Sequence, residues 1–168
     1  DYPTILGSAE TLKGKDILTQ YGTGAHVLVL KWLKQFGLTE NDVKLINMTF
    51  PQAYQAFLAG TGDAVCVLTR TTYDAINNQG FKLAADMTTM GIPLYGTIVV
   101  NPKTYDKPEI RDALVGFLKA VFKANEILLK DRDLQIKTMD DWFKQNGIEL
   151  TPEQVAYEID TQTLFSRE

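Results

Sequence analysis

Apolar and polar positions follow two different rhythms along this chain, and the change from one to the other divides it. Short apolar runs come first: Asp16 to Gln20, Val43 to Asn47, Asp63 to Leu68 and Phe81 to Ala85, each bounded by Gly, Asn or Asp, as strands are. Between the first two, Ala25, Leu28, Val29, Trp32, Leu33 and Phe36 recur at spacings of three and four. That repeat predicts a helix from Gly24 with one buried face, with Lys31, Lys34 and Gln35 on the other side and Gly37 ending it as a C′ residue. Thr49-Phe50-Pro51-Gln52 predicts a second helix start, Thr49 capping and Gln52 answering, with the helix running to about Ala59. A third short helix is expected over Thr71 to Gln79. Strand and helix alternating at this spacing predict parallel βαβ units with right-handed crossovers. The nearly all-apolar Asp63 to Leu68 is expected to be buried on both faces of the sheet. Asp1 to Thr11 has no period and reads as a lead-in.

A Met- and Thr-rich loop, Asp86 to Pro93, leads to a fifth strand candidate, Leu94 to Val100, and there the rhythm changes. Asp106-Lys107-Pro108-Glu109 opens a long helix with an apolar stripe of Ile110, Leu114, Phe117, Leu118, Val121, Phe122 and Leu128. A second helix is expected over Leu134 to Gln145, with Trp142 and Phe143 on its apolar side. A third starts at Thr151-Pro152-Glu153-Gln154. The expected organisation is an α/β lobe over 1–100 and a helical tail over 101–168. That tail holds more amphipathic helix than the sheet upstream can cover, and each uncovered large side chain forgoes about 1.5–3 kcal/mol of burial. A partner lobe of the same polypeptide, or self-association, is expected to cover it. A tail folded back on the sheet is the alternative.

Composition narrows the classes of function. With 168 residues, 45% of them hydrophobic and 23% charged, the chain is of ordinary globular make-up. A net charge of −4, with dispersed Lys and Arg, leaves no basic surface for nucleic acid. Cys66 is the one cysteine and His26 the one histidine, so neither a disulfide framework nor a zinc motif is available, and no metal or other cofactor is expected. No apolar run approaches the length that spans a bilayer.

The candidate chemistry begins at Gln20-Tyr21-Gly22-Thr23-Gly24-Ala25-His26, between the first strand and the first long helix. Two glycines let the backbone turn tightly and approach a ligand closely. The helix that follows aims unpaired N–H groups and the positive end of its dipole at the same place, a setting for a carboxylate, sulfonate or phosphate. A plain strand-to-helix turn capped by Thr23, with no ligand, fits the local sequence equally well. For His26, ligand contact and solvent exposure stand level. Asn47, Met48, Thr49 and Phe50 follow the second strand and Leu68, Thr69 and Arg70 the third, and in open parallel sheets ligands lie beyond such carboxyl ends. Arg70 is the strong cation among them, a ligand clamp or a surface arginine with a carboxylate neighbour. Tyr73 and Tyr95 could line an aromatic wall, with core packing the default. Cys66 is expected to be buried in its strand rather than a reactive thiolate.

Enzymatic motifs fail. A dinucleotide fingerprint would need glycine near Val27 and an acid where Asn47 stands, and a P-loop would need Lys-Ser or Lys-Thr where Ala25-His26 stand. No Ser lies in a nucleophile elbow to serve with His26, so hydrolysis has little support.

Leu12-Lys13-Gly14-Lys15, the strand, Gly22-Thr23-Gly24-Ala25-His26 and the Leu-rich helix ending at Gly37 resemble the second lobe of the nitrate/sulfonate/taurine-type substrate-binding proteins of ABC transporters. Ala56-Phe57-Leu58-Ala59-Gly60-Thr61-Gly62-Asp63-Ala64 is similar to the same family's Ala-rich helix, Ala-Gly, variable pair and Asp-Ala. Gly96 to Val100, followed by Asn101-Pro102-Lys103 and a long helix, looks like its return to the first lobe. The resemblance covers nearly the whole chain and implies a type II periplasmic-binding fold, one lobe complete and the other, to which the tail belongs, partial.

By that resemblance the protein is the solute-binding component of an importer, periplasmic or extracellular, with a lipid anchor as one option, working with an ABC permease and catalysing nothing. Ligand binding is expected at Gly22, Thr23, Gly24, Ala25, His26, Thr49, Phe50, Gln52, Thr69 and Arg70. Where the family often has Trp, an acid and Pro after the third strand, this chain has Leu68-Thr69-Arg70, and Gln52 replaces a frequent acid. Two acids fewer and an arginine more point to an anionic solute. The related thiamine-pyrimidine synthases use cysteine and histidine clusters that one Cys and one His do not supply. A ligand-sensing domain of a regulatory protein is the alternative function, and an enzyme on this fold a weaker one. A leader or lipoprotein cysteine upstream would mark the transport receptor, and an attached kinase, cyclase or DNA-binding segment the sensor.

Overall fold

A computed structural model describes residues 5–93 and 99–161. The chain divides into two units, Asp1–Tyr95 and Gly96–Glu168. The first opens with a short helix, α1 (Ala9–Leu12), where no period was legible. Ser8 starts it, accepting the Thr11 amide at 3.2 Å while the Thr11 hydroxyl accepts the Ser8 amide at 2.9 Å. Four residues are too few to show a helical repeat, so only the cap betrays it.

Strand β1 (Asp16–Thr19) is central because it is apolar on both faces. Its neighbours Ile17 and Leu18 point opposite ways and are 1% and 0% exposed. Ile17 joins Val29, Trp32 and Leu33 of helix α2 (Gly24–Gln35) in one core cluster, completed by Leu12, Leu38 and Met90. The apolar spacing of α2 therefore buries the face it predicted. Strand β2 (Lys44–Asn47) pairs with β1 in parallel, Ile17 beside Leu45. Helix α3 (Phe50–Leu58) then crosses to strand β3 (Ala64–Val65), which pairs in parallel on the other side of β1. The order β2-β1-β3 puts a topological switch point at the carboxyl end of β1. Gly62 is required just before β3: its φ is +83°, and a Cβ there would lie 3.1 Å from Leu18 Cγ.

Two expectations about strands fail. The third apolar run pairs only at Ala64–Val65 and is half-buried rather than enclosed on both faces. Phe81 to Ala85 joins no sheet. Its backbone is bonded elsewhere, the Phe81 amide to Ala75 O at 2.9 Å and Ala84 O to the Leu6 amide at 2.9 Å. The segment still closes the core with Ala84 and Ala85, but across the lead-in instead of along the sheet. Trp32 Nε1 donates to Leu6 O at 2.8 Å and fixes the same lead-in to α2. Helix α4 (Thr69–Asn77) starts two residues earlier than Thr71, at the loop after β3. The fifth strand candidate, Leu94 to Val100, falls mostly outside the described residues, as does Tyr95; Val99 and Val100 are in no strand.

The second unit holds helices α5 (Pro102–Tyr105), α6 (Pro108–Leu128), α7 (Arg132–Gln145) and α8 (Pro152–Asp160). Helix α7 packs on α8, with Phe143 and Val155 buried, and Arg132 Nη2 meets Asp160 Oδ1 at 2.7 Å. Gln135 Nε2 donates to Leu128 O at 2.6 Å and ties the end of α6 to α7. The predicted stripe of α6 is only partly covered: Ile110, Leu114, Val121, Phe122 and Leu128 are half-buried, while Leu118 is exposed and Phe117 is 53% exposed. Trp142 is exposed too, beside a groove of about 380 Å3 lined by Leu128, Met139, Phe143 and Ile159.

Candidate functional site

Parallel pairing puts the carboxyl ends of β1, β2 and β3 on one edge, and the three loops that leave it carry every residue expected to bind ligand. The first loop turns at Gly22, whose φ is +73°. Nothing lies within 4 Å of a Cβ added there, so conformation and not space selects glycine. Gly24 begins α2, followed by Ala25, buried, and His26, half-buried. Thr23 is the N-cap residue, yet its hydroxyl does not cap. It donates back to Gln20 O at 2.6 Å, and its side chain makes no cap bond to α2. The amides that open a helix have no intrahelical acceptors, so α2 presents its N-terminus uncapped by its own side chain.

Helix α3 is different. Gln20 Oε1 accepts the Phe50 amide at 3.2 Å, and Pro51 has no N–H to offer. Gln52 Oε1 accepts the Thr49 amide at 3.3 Å and the Thr49 hydroxyl at 2.8 Å, as the sequence pattern predicted. Gln52 Oε1 and the Thr49 amide and hydroxyl are thus engaged with each other, and the half-buried Phe50 ring is the apolar feature of this loop. Helix α4 follows Leu68, which has no polar side chain to cap it, so its N-terminus is also uncapped. Thr69 and Arg70 form its first turn, and among the described residues Arg70 makes no salt bridge.

Tyr21 joins the first two loops. Its amide donates to Asn47 Oδ1 at 3.0 Å and its hydroxyl to Leu45 O at 3.1 Å, while its ring stacks on His26 with centroids 4.6 Å apart. The Nε2 atom of His26 and Oγ1 of Thr19, the last residue of β1, are buried with no hydrogen-bond partner among the described residues. Buried polar atoms are nearly always paired. Gln20, Tyr21 and Asn47 are absent from the expected site because their roles depend on partners brought close by strand pairing. The only local hint is that all three border strand ends.

The remaining titratable groups have structural posts. Asp63 sits at the opposite edge of the sheet, where its carboxylate accepts Lys15 Nζ at 2.9 Å and the Asp16 amide at 3.0 Å. These bonds, Lys15 first, hold its carboxyl below the usual range. Lys15 is therefore paired as well as solvated. Asp86 accepts the Thr89 amide at 2.7 Å in a turn of its own. Burial pushes the Cys66 thiol up to about 11, away from the thiolate that nucleophilic chemistry needs. Among the described residues no three His, Cys, Asp or Glu side chains could together hold a metal ion, and no helix is long and apolar enough to cross a membrane.

Two helix starts without a side-chain cap, one of them after a glycine turn, thus lie at the carboxyl edge of the sheet. The family model described as NMT1/THI5 like matches residues 6–133. The chain belongs to that family. A protein of Brachyspira hyodysenteriae (strain ATCC 49526 / WA1), named as an ABC transporter periplasmic binding protein, is 33% identical over the whole of this chain and 48% of its own length. The aliphatic sulphonate binding protein SsuA of Escherichia coli shares the fold, with TM-score 0.72 and 19% identity over 97% of this chain and 50% of that one. The alkanesulfonate-binding protein SsuA of Xanthomonas axonopodis pv. citri, bound to MOPS, gives TM-score 0.70 and 27% identity over 96% of this chain and 53% of that one. The chain therefore spans about half the length of the relatives it matches. The NMT1/THI5-like fold of a parallel sheet with flanking helices is the α/β architecture that the alternation predicted.

Proposed function

We propose that this chain is part of the solute-binding component of an ABC importer, and that it takes the acidic group of a small organic anion at the carboxyl ends of β1 and β3. The observation that carries this reading is the contrast between helix starts: α3 is closed by Gln20 and by its Thr49–Gln52 pairing, whereas α2 and α4 have no side-chain cap. Uncapped N-termini supply backbone donors and partial positive charge to an oxyanion. Gly22 to His26 form one side of the site, with His26 Nε2 donating to or accepting from the solute. Thr69 and Arg70 form another, Arg70 adding a full charge. Phe50 offers an apolar surface to the organic part, and Thr49 and Gln52 serve by holding the start of α3. Similarity to the Xanthomonas axonopodis alkanesulfonate-binding protein bound to MOPS supports a sulfonate as the anion.

The site works by binding, without catalysis or cofactor, and the importer's permease is the partner of the whole polypeptide in the periplasm. Residues 1–100 act as the ligand lobe. Residues 101–168 belong to a second lobe completed by the rest of a full-length receptor, and the exposed Val115, Phe117 and Leu118 of α6 support this division. Calorimetric titration of the full-length receptor with an aliphatic sulfonate and with an organic ammonium ion of similar size tests the reading. The sulfonate is expected to bind, with Arg70→Ala weakening it about tenfold or more, the scale of one charged hydrogen bond. Preference for the cation would overturn it.

A further inference from the structure

Phe50 and Arg70 stand at the starts of two helices, and one helical turn behind them the same two helices are joined. Tyr54 of α3 donates its hydroxyl to Oδ2 of Asp74 in α4, while Asp74 Oδ1 accepts Asn78 Nδ2 at 2.6 Å. Residues four apart share a helix face, so Tyr54 lies behind Phe50 on α3 and Asp74 behind Arg70 on α4. Tyr54 is buried, 8% exposed. Helix α3 packs directly on β1 and β3, which makes it the fixed member of the pair. A tilt or slide of α4 relative to α3 would break the bond and carry Arg70 away from Phe50.

We propose that Tyr54 and Asp74 form a strut that sets the spacing of the α3 and α4 starts, and are thereby positioning residues for the solute site. The strut rests on reading that site as solute-binding. Its chemistry suits the task. A phenylalanine would fill the same volume, so the hydroxyl serves the bond and not the packing. The acceptor is a carboxylate whose carboxyl is held below the usual range by hydrogen bonds, from Tyr54 first, Asn78 next and Gln79 last. Hydrogen bonds to charged acceptors are shorter and roughly twice as strong as neutral ones, and define a distance more tightly.

The test has two arms. In the full-length receptor without ligand, amide spectra of Tyr54→Phe and Asp74→Ala are expected to shift at Phe50, Thr69, Arg70 and Thr71 while the amides of β1 and β2 stay in place. Asp74→Asn is expected to leave them near wild type, because its amide N–H can donate to the Tyr54 oxygen while its carbonyl accepts Asn78. Unmoved helix starts in Tyr54→Phe would overturn the strut. In the full-length receptor, titrated with ethanesulfonate at a temperature where every variant is folded, Tyr54→Phe and Asp74→Ala are expected to raise Kd about tenfold and Asp74→Asn much less. An unchanged Kd with a lowered unfolding midpoint would make the bond structural only and overturn the positioning role. If the wild type itself fails to bind, the solute reading falls, and the positioning role that rests on it falls too; the spectra then decide only whether the strut exists.

Discussion

The ring of Tyr21 lies flat against the imidazole of His26, the two planes 10° apart and the centroids separated by 4.6 Å. This contact closes the first loop on itself, so that the residue before the glycine turn orients a residue of the helix after it. The hydroxyl of Tyr21 reaches on to Leu45 O and ties the loop to β2. An aromatic pair contributes about 0.5–1.5 kcal/mol beyond burial, and Tyr21 is 43% exposed, which favours the lower end. Tyr21→Ala is expected to lower the free energy of urea unfolding by about 1 kcal/mol, and Tyr21→Phe by less because the stack survives. Equal losses in the two variants would show that the hydroxyl bond, not the stack, holds the loop.

Acid should loosen the opposite edge of the sheet. The folded state holds the Asp63 carboxyl below its ordinary value, chiefly through Lys15 and then through the Asp16 amide. A group whose folded pKa is depressed contributes stability that is fully present above the unfolded value, about 3.9, and is lost as pH falls through the folded one. Urea midpoints of the wild type are therefore expected to fall as pH drops below about 4, with Asp63→Asn less stable near neutrality and flatter in acid. Parallel pH profiles for the two proteins would remove Asp63 from the account. The Lys15 side chain is half exposed, so salt should weaken its share and leave the backbone bond.

The exposed apolar residues of α6 give a prediction about assembly. Val115, Phe117 and Leu118 are exposed there, as is Trp142 on α7. Each large apolar side chain covered on association removes surface worth about 1.5–3 kcal/mol when fully buried. The 168-residue chain alone is expected to self-associate at high concentration, and Phe117→Glu to shift it toward monomer. Light scattering that reports a monomer at every concentration would count against a second lobe supplied by the rest of the receptor.

Much of the fold was readable in residue order because its causes are local. Helix α2 keeps its apolar residues on one face whatever surrounds it, and Gly37 ends it with φ +71°. The pairing of Thr49 with Gln52, and of Thr151 with Gln154, spans a single helical turn and forms as the residue types predict. Phe81 to Ala85 looked like a strand for an equally local reason, but a strand also needs a neighbour with free backbone groups. Leu6 met Ala84 first.

By itself the sequence determined the alternation of the first three strands with helices, the glycine turn at Gly22 and the starts of α2, α3, α6 and α8, since each depends on backbone preference or on side chains within one turn. The tertiary structure alone decided that Gln20 closes the start of α3 and that α3 is tied to α4, because Gln20 meets Phe50 and Tyr54 meets Asp74 across separations that only strand pairing and helix crossover bring within bonding distance. It also decided that Phe117 and Leu118 of the α6 stripe stay exposed while the rest is half-buried, since an amphipathic period states which face wants burial but not how fully anything covers it.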